Sequence, residues 1–164
     1  MKVSDLVAMY ELREPYSTSL PMLRTIGKGV KTVLELGAGL YSTAVFLDRT
    51  YYPDLESLIS VEQNEAWVIG RDDQRHIAMM VAEPIETYLD TLDLNHFDLI
   101  LVDNSSFMAR RIETLRYISN RVGRSMVVAH DFETPEYQEA AKEFTNGIVD
   151  DRQVPWTALL WRAR

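Results

Sequence analysis

The chain has 164 residues, 46% hydrophobic and 26% charged, a size and balance that fit one domain around one core. Its formal net charge of -8 speaks against nucleic acid as a partner, since binders of that polyanion carry basic patches. It has no cysteine, which excludes disulfides, thiolate metal sites and cysteine nucleophiles and fits a cytoplasmic protein.

Residues 1–30 read as one or two helices ahead of the sheet, a lid with Tyr10, Tyr16 and Met22 as candidate liners. Asp5, Glu11 and Glu14 interrupt any signal-peptide apolar region, and no apolar run approaches a membrane span. Residues 32–36 read as the first strand, running straight into Gly37 and Gly39, with a helix over 42–49 and Ser42 as its N-cap. Pro53-Asp54 breaks the chain before a second strand over 57–61 and a short helix over 65–70. A third strand follows at 77–81. Pro84 then opens an amphipathic helix to Leu92, with Ile85, Tyr88, Leu89 and Leu92 on one face.

Residues 97–102 are apolar apart from Asp98, the pattern of a parallel strand buried on both faces. Met108, Ile112, Leu115, Ile118 and Val122 follow helical spacing up to Gly123. Arg110-Arg111, Arg116, Arg121 and Arg124 read as a solvated basic face in the same stretch. A fifth strand covers 125–129, Thr134-Pro135 starts a helix to Phe144, and 147–149 and 157–161 are two closing strands.

This alternation predicts an α/β fold: a doubly wound, mostly parallel, seven-stranded Rossmann-like sheet over 31–164, behind the short N-terminal helical segment. Ligands of such sheets bind at the carboxyl ends of the strands. There the chain places Glu35 to Gly39, Glu62, Ala82-Glu83, Asp103-Asn104 and His130-Asp131.

The turn Glu35-x-Gly37-x-Gly39 follows a strand and precedes a helix. A dinucleotide fingerprint would have a third glycine where Ser42 stands. Glu62, at the end of the second strand, suits the two hydroxyls of a ribose without choosing between nucleosides. With its leading acid, the turn resembles motif I of class I S-adenosylmethionine-dependent methyltransferases, except that Tyr41 replaces the last glycine of that motif. Gly39-x-x-Ser42-Thr43 and Val61-Glu62-x-Asn64-x-x-Trp67 extend the likeness, as do Asp103 after the fourth strand and His130-Asp131 after the fifth.

The resemblance, over about 31–137, implies S-adenosylmethionine as cofactor. Glu35, Gly37 and Gly39, with Ser42 beside them, would hold its amino acid end, Glu62 its ribose, and Gln63 and Glu83 the adenine side. Trp67 could cover the adenine or fill the core. Asp103 would face both cofactor and acceptor. His130 is either a catalytic base or a strand-end histidine bonded to a backbone carbonyl, and His76 and His96 read as structural. A catechol-type Mg²⁺ site would take Asp103 and Asp131, but Phe132 stands where its asparagine belongs, leaving Asn104 or Glu133 to substitute; no metal is expected.

The expected activity is methyl transfer to a small-molecule acceptor, by O-methylation. The alternatives are a binding module without transfer chemistry and an NAD-dependent oxidoreductase. A short chain with a thin lid could also complete its pocket with a second subunit, as a homodimer.

Overall fold

The strands over 32–36, 57–62, 99–102 and 126–130 are short, largely apolar runs buried on both faces, the pattern of parallel pairing with helices on either side, while the strand over 76–80 lies at the sheet edge with Ile77 and Met80 exposed. The computed structural model describes residues 17–68 and 72–163. Tyr10, Tyr16 and the end of the helix expected over 65–70 lie outside the described residues.

In chain order the elements are α1 (Leu20–Ile26), β1 (Thr32–Leu36), α2 (Ser42–Leu47), β2 (Ser57–Glu62), β3 (His76–Met80), α3 (Ile85–Leu89), β4 (Leu99–Val102), α4 (Met108–Ser119), β5 (Met126–His130), α5 (Pro135–Ala140), β6 (Asn146–Asp150) and β7 (Thr157–Trp161). Single 3-10 turns occupy Glu65–Trp67 and Leu94–His96. The seven strands form one sheet in the order β3-β2-β1-β4-β5-β7-β6. β1 to β5 are parallel, while β7 runs antiparallel to both β5 and β6. The strand order reverses between β1 and β4, and a crevice opens there at the carboxyl ends.

Alternation along the strands sends side chains into two cores. Leu34, Leu36, Ile100 and Val102 pack with Ile85, Leu115, Ile118 and Tyr137 from α3, α4 and α5. Val33, Leu58, Leu99 and Leu101 pack on the other face with Leu20, Leu23, Val45, Phe46 and Tyr52. Tyr52 pins α1 to this second core: its hydroxyl donates to the Leu23 carbonyl at 2.8 Å, and its ring meets Phe46 edge-on. Met22, expected as a lid liner, is a member of that core.

Helix ends differ most from expectation. Tyr41 is the N-cap of α2, and Ser42 is its first residue, because the Ser42 hydroxyl is taken by Glu35. The α4 helix stops at Ser119 and α5 at Ala140. Among the described residues, no helix is long and apolar enough to cross a membrane.

Candidate functional site

The β1–α2 turn forms the floor of the crevice. Gly37 has φ +92, and a Cβ on it would lie 2.0 Å from the Asp103 carbonyl oxygen. The turn is thus seated on the end of β4, where a side chain has neither the conformation nor the room. Gly39 is different, because among the described residues nothing lies within 4 Å of a Cβ placed there.

Glu35 lies in the same β1 row as Val33, so its side chain enters the α1/α2 core and is fully buried. Three hydroxyls meet it: Ser42 at 2.5 Å, Thr43 at 2.8 Å and Ser60 across the β1–β2 pair. Burial raises its carboxyl to about 7, although the three hydroxyl bonds act in the opposite direction. Thr43 Oγ1 also accepts the Gly39 N–H at 3.2 Å. Glu35 therefore sits beneath the turn and reaches Gly39 through Thr43, and it is not in the cavity wall. Ser60 connects onward to His76 Nε2 at 2.9 Å, which gives that histidine a place in the fold.

A cavity of about 480 Å³ fills the crevice, a volume suited to a small ligand or cofactor. Of the candidates above, Gly37, Gly39, Ser42, Glu62, Gln63, Glu83 and Asp103 line it, as does Trp67. Glu62 Oε1 accepts the N–H groups of Gln63 at 2.7 Å and Asn64 at 2.8 Å. Those bonds fix the carboxylate at the cavity edge. Trp67 is partly exposed, so the cavity reading suits it better than core filler.

The opposite end holds a group that the sequence reading placed elsewhere. Arg111 is 8% exposed and lines the cavity, while Arg110, Arg116, Arg121 and Arg124 remain on the surface. Its Nη2 is 2.6 Å from Asp103 Oδ1, its Nη1 pairs with Asp131 Oδ2, and its Nε donates to the Ser105 carbonyl. The sequence did hold a signal: Arg111 precedes Leu115 by four residues and Ile118 by seven, which places it on the inward stripe of α4. His130 is 2% exposed and lies behind the acids, outside the cavity wall. Its Nε2 is 2.8 Å from Thr18 Oγ1. Its Nδ1 faces Asp103 Oδ2 at 3.5 Å and Asp131 Oδ1 at 3.9 Å, and it finds no hydrogen-bond partner among the described residues.

Asp103, His130 and Asp131 bring one ligand atom each within 4.8 Å of one another, the beginnings of a cation site. Of the further ligands considered above, Glu133 Oε2 accepts the backbone N–H of Trp156 at 3.0 Å and Phe132 is core. Asn104 donates through Nδ2 to Thr114 Oγ1 at 3.2 Å, and its buried Oδ1 has no hydrogen-bond partner among the described residues. A divalent ion does not fit as the side chains stand, because the Arg111 guanidinium already occupies both carboxylates.

Strand order, crevice and turn together define the class: the chain has the fold of class I S-adenosylmethionine-dependent methyltransferases. No protein-family model matches it, and no curated protein matches it. Solved structures do. MycE, a methyltransferase of the mycinamycin biosynthetic pathway in complex with Mg, S-adenosylhomocysteine and mycinamycin VI, superimposes with a TM-score of 0.65 at 15% identity, covering 100% of this chain and 55% of that one. The O-methyltransferase from Bacillus cereus in complex with S-adenosylhomocysteine gives 0.64 at 13% identity, over 98% of this chain and 90% of that one. Spermidine synthase from Thermotoga maritima gives 0.57 at 18% identity, over 89% and 57%. The chain thus spans little more than half the length of MycE and of the synthase, and nearly all of the Bacillus protein.

Proposed function

We propose that the chain is an S-adenosylmethionine-dependent methyltransferase that transfers a methyl group to a hydroxyl of a small molecule. The observation that supports this reading is the layout of the crevice cavity: Glu62 on its cofactor side, the open face of Gly39 in the middle, and Asp103 with Asp131 at the far end. In this reading the Glu62 carboxylate, held through Oε1, accepts the ribose hydroxyls with Oε2. Gln63, Trp67 and Glu83 flank the adenine, and the 37–39 turn receives the amino acid end. Glu35 is then a positioning residue that acts on Gly39 through Thr43.

The chemistry is an in-line displacement. S-adenosylmethionine, when bound, would supply a sulfonium methyl, so that an acceptor oxygen held in line would gain the methyl carbon as the carbon–sulfur bond broke and a neutral thioether departed. Alignment supplies most of the rate, and a base is needed to take the hydroxyl proton. Asp103 faces the acceptor, with His130 Nδ1 3.5 Å behind it, and this pair is the proposed proton acceptor.

The test is incubation with methyl-tritiated S-adenosylmethionine and a panel of small hydroxyl compounds, following labelled product and S-adenosylhomocysteine release. Label in an ether product together with released S-adenosylhomocysteine supports the reading. One observation favours a second reading, a binding module without transfer: both acids at the acceptor end are already ion-paired to Arg111. Ligand binding without transfer to any acceptor would select that reading, and absence of both would reject the two together.

A further inference from the structure

We propose that Arg111 is the resident cation at the acceptor end of the cavity, in the place a divalent metal would take, and that its removal unmasks a metal site made of Asp103, Asp131 and His130. Calling this the acceptor end rests on the proposed function; the cation chemistry does not.

The four side chains form a closed ring. Arg111 Nη2 meets Asp103 Oδ1, and Asp103 Oδ2 faces His130 Nδ1. Asp131 Oδ1 faces the same nitrogen, and Asp131 Oδ2 returns to Arg111 Nη1. Each carboxylate therefore turns one oxygen to the guanidinium and the other to the imidazole. A guanidinium spans two carboxylates because its N–H groups form a planar fork. The third edge is anchored too, since Nε donates to the Ser105 carbonyl, so the charge cannot swing away without losing three contacts.

Remove that charge and two carboxylates remain side by side with one neutralising partner fewer. They and the buried His130 Nδ1, which has no hydrogen-bond partner among the described residues, are oxygen and imidazole donors of the kind that divalent cations take. With Arg111 present, an incoming divalent ion would stand a few ångströms from a fixed positive charge and compete for occupied oxygens. Arg111 is thus a positioning residue: it sets the spacing of the two acids and keeps metal out.

The experiment is Mn²⁺ binding to the whole chain, read by electron paramagnetic resonance of free Mn²⁺ and by calorimetry. Wild type, Arg111→Lys and Arg111→Met are compared, with Asp131→Asn added to each. Arg111→Met is expected to bind Mn²⁺ at least about tenfold more tightly than wild type, the gain of removing a unit charge near the ion. Asp131→Asn should abolish that gain. Arg111→Lys, which keeps the charge but not the fork, should still exclude the ion; a merely structural loss would not separate Lys from Met. A melting curve and circular dichroism establish that each variant is folded. The proposal is overturned by a folded Arg111→Met that binds no more tightly than wild type. It is also overturned by wild-type Mn²⁺ binding that Asp131→Asn removes, a result that stands even if Arg111→Met does not fold. None of these readouts needs methyl transfer, so failure of the proposed activity is distinguishable from failure here.

Discussion

Alanine at the two glycines of the turn separates fold from ligand space. At Gly37 an alanine meets two costs. The backbone is at φ +92, where an L side chain is disfavoured by about 1–2 kcal/mol. Its Cβ would also sit 2.0 Å from the Asp103 carbonyl oxygen and 2.5 Å from the carbonyl carbon, so the β1 turn and the end of β4 must part. Overpacking of that kind costs about 1–3 kcal/mol. Gly37→Ala should therefore lose roughly 2–5 kcal/mol and, for a domain of this size, about 4–20 °C in melting temperature. At Gly39 the Cβ meets open space. Gly39→Ala should leave the melting temperature unchanged or raise it slightly, since alanine restricts the unfolded chain. It should nevertheless weaken S-adenosylhomocysteine binding at least about tenfold, because the methyl enters the ligand's space. Thermal melts with and without ligand read both effects. An unchanged melting temperature for Gly37→Ala, or equal losses at the two positions, would refute this division of labour.

Glu35 gives the fold a pH dependence. Its folded carboxyl is raised from an ordinary 4.5 to about 7, so its stabilising contribution is complete below the unfolded value and is lost as pH rises through about 7. Wild type should lose on the order of 3 kcal/mol relative to Glu35→Gln between pH 4.5 and 8; parallel urea-unfolding free energies over that range would contradict the assignment. Tyr52→Phe keeps the ring against Phe46 but strands the Leu23 carbonyl, which should cost about 1–2 kcal/mol. A melting temperature equal to wild type would show that this bond holds nothing. Glu62→Ala removes a fixed acceptor of two backbone N–H groups, so a modest loss of stability should accompany any loss of ligand affinity.

The parallel strands were legible because burial on both faces leaves apolar runs such as Leu99–Val102, and turn residues mark their ends. The polar strand ends were legible for the same reason, since nothing in a core run explains Glu62 or Asp103. Helix ends were not. Ser42 has the chemistry of an N-cap, yet a buried carboxylate seven residues earlier claims its hydroxyl. Glu35 reads as a ligand-facing acid because it precedes the turn, but strand alternation puts it in the row of Val33. Arg111 was grouped with its neighbours by composition, whereas its spacing to Leu115 and Ile118 turns it inward. The contact of Thr18 with His130 spans 112 residues, and no local pattern announces it.

Calorimetric titration of S-adenosylhomocysteine into wild type and Glu62→Ala tests the central claim most directly. Saturable binding to wild type is expected, with an affinity loss of about 30–100-fold in Glu62→Ala, the worth of hydrogen bonds to a charged carboxylate. No binding to the folded wild type, or equal affinities in the two proteins, would contradict the account.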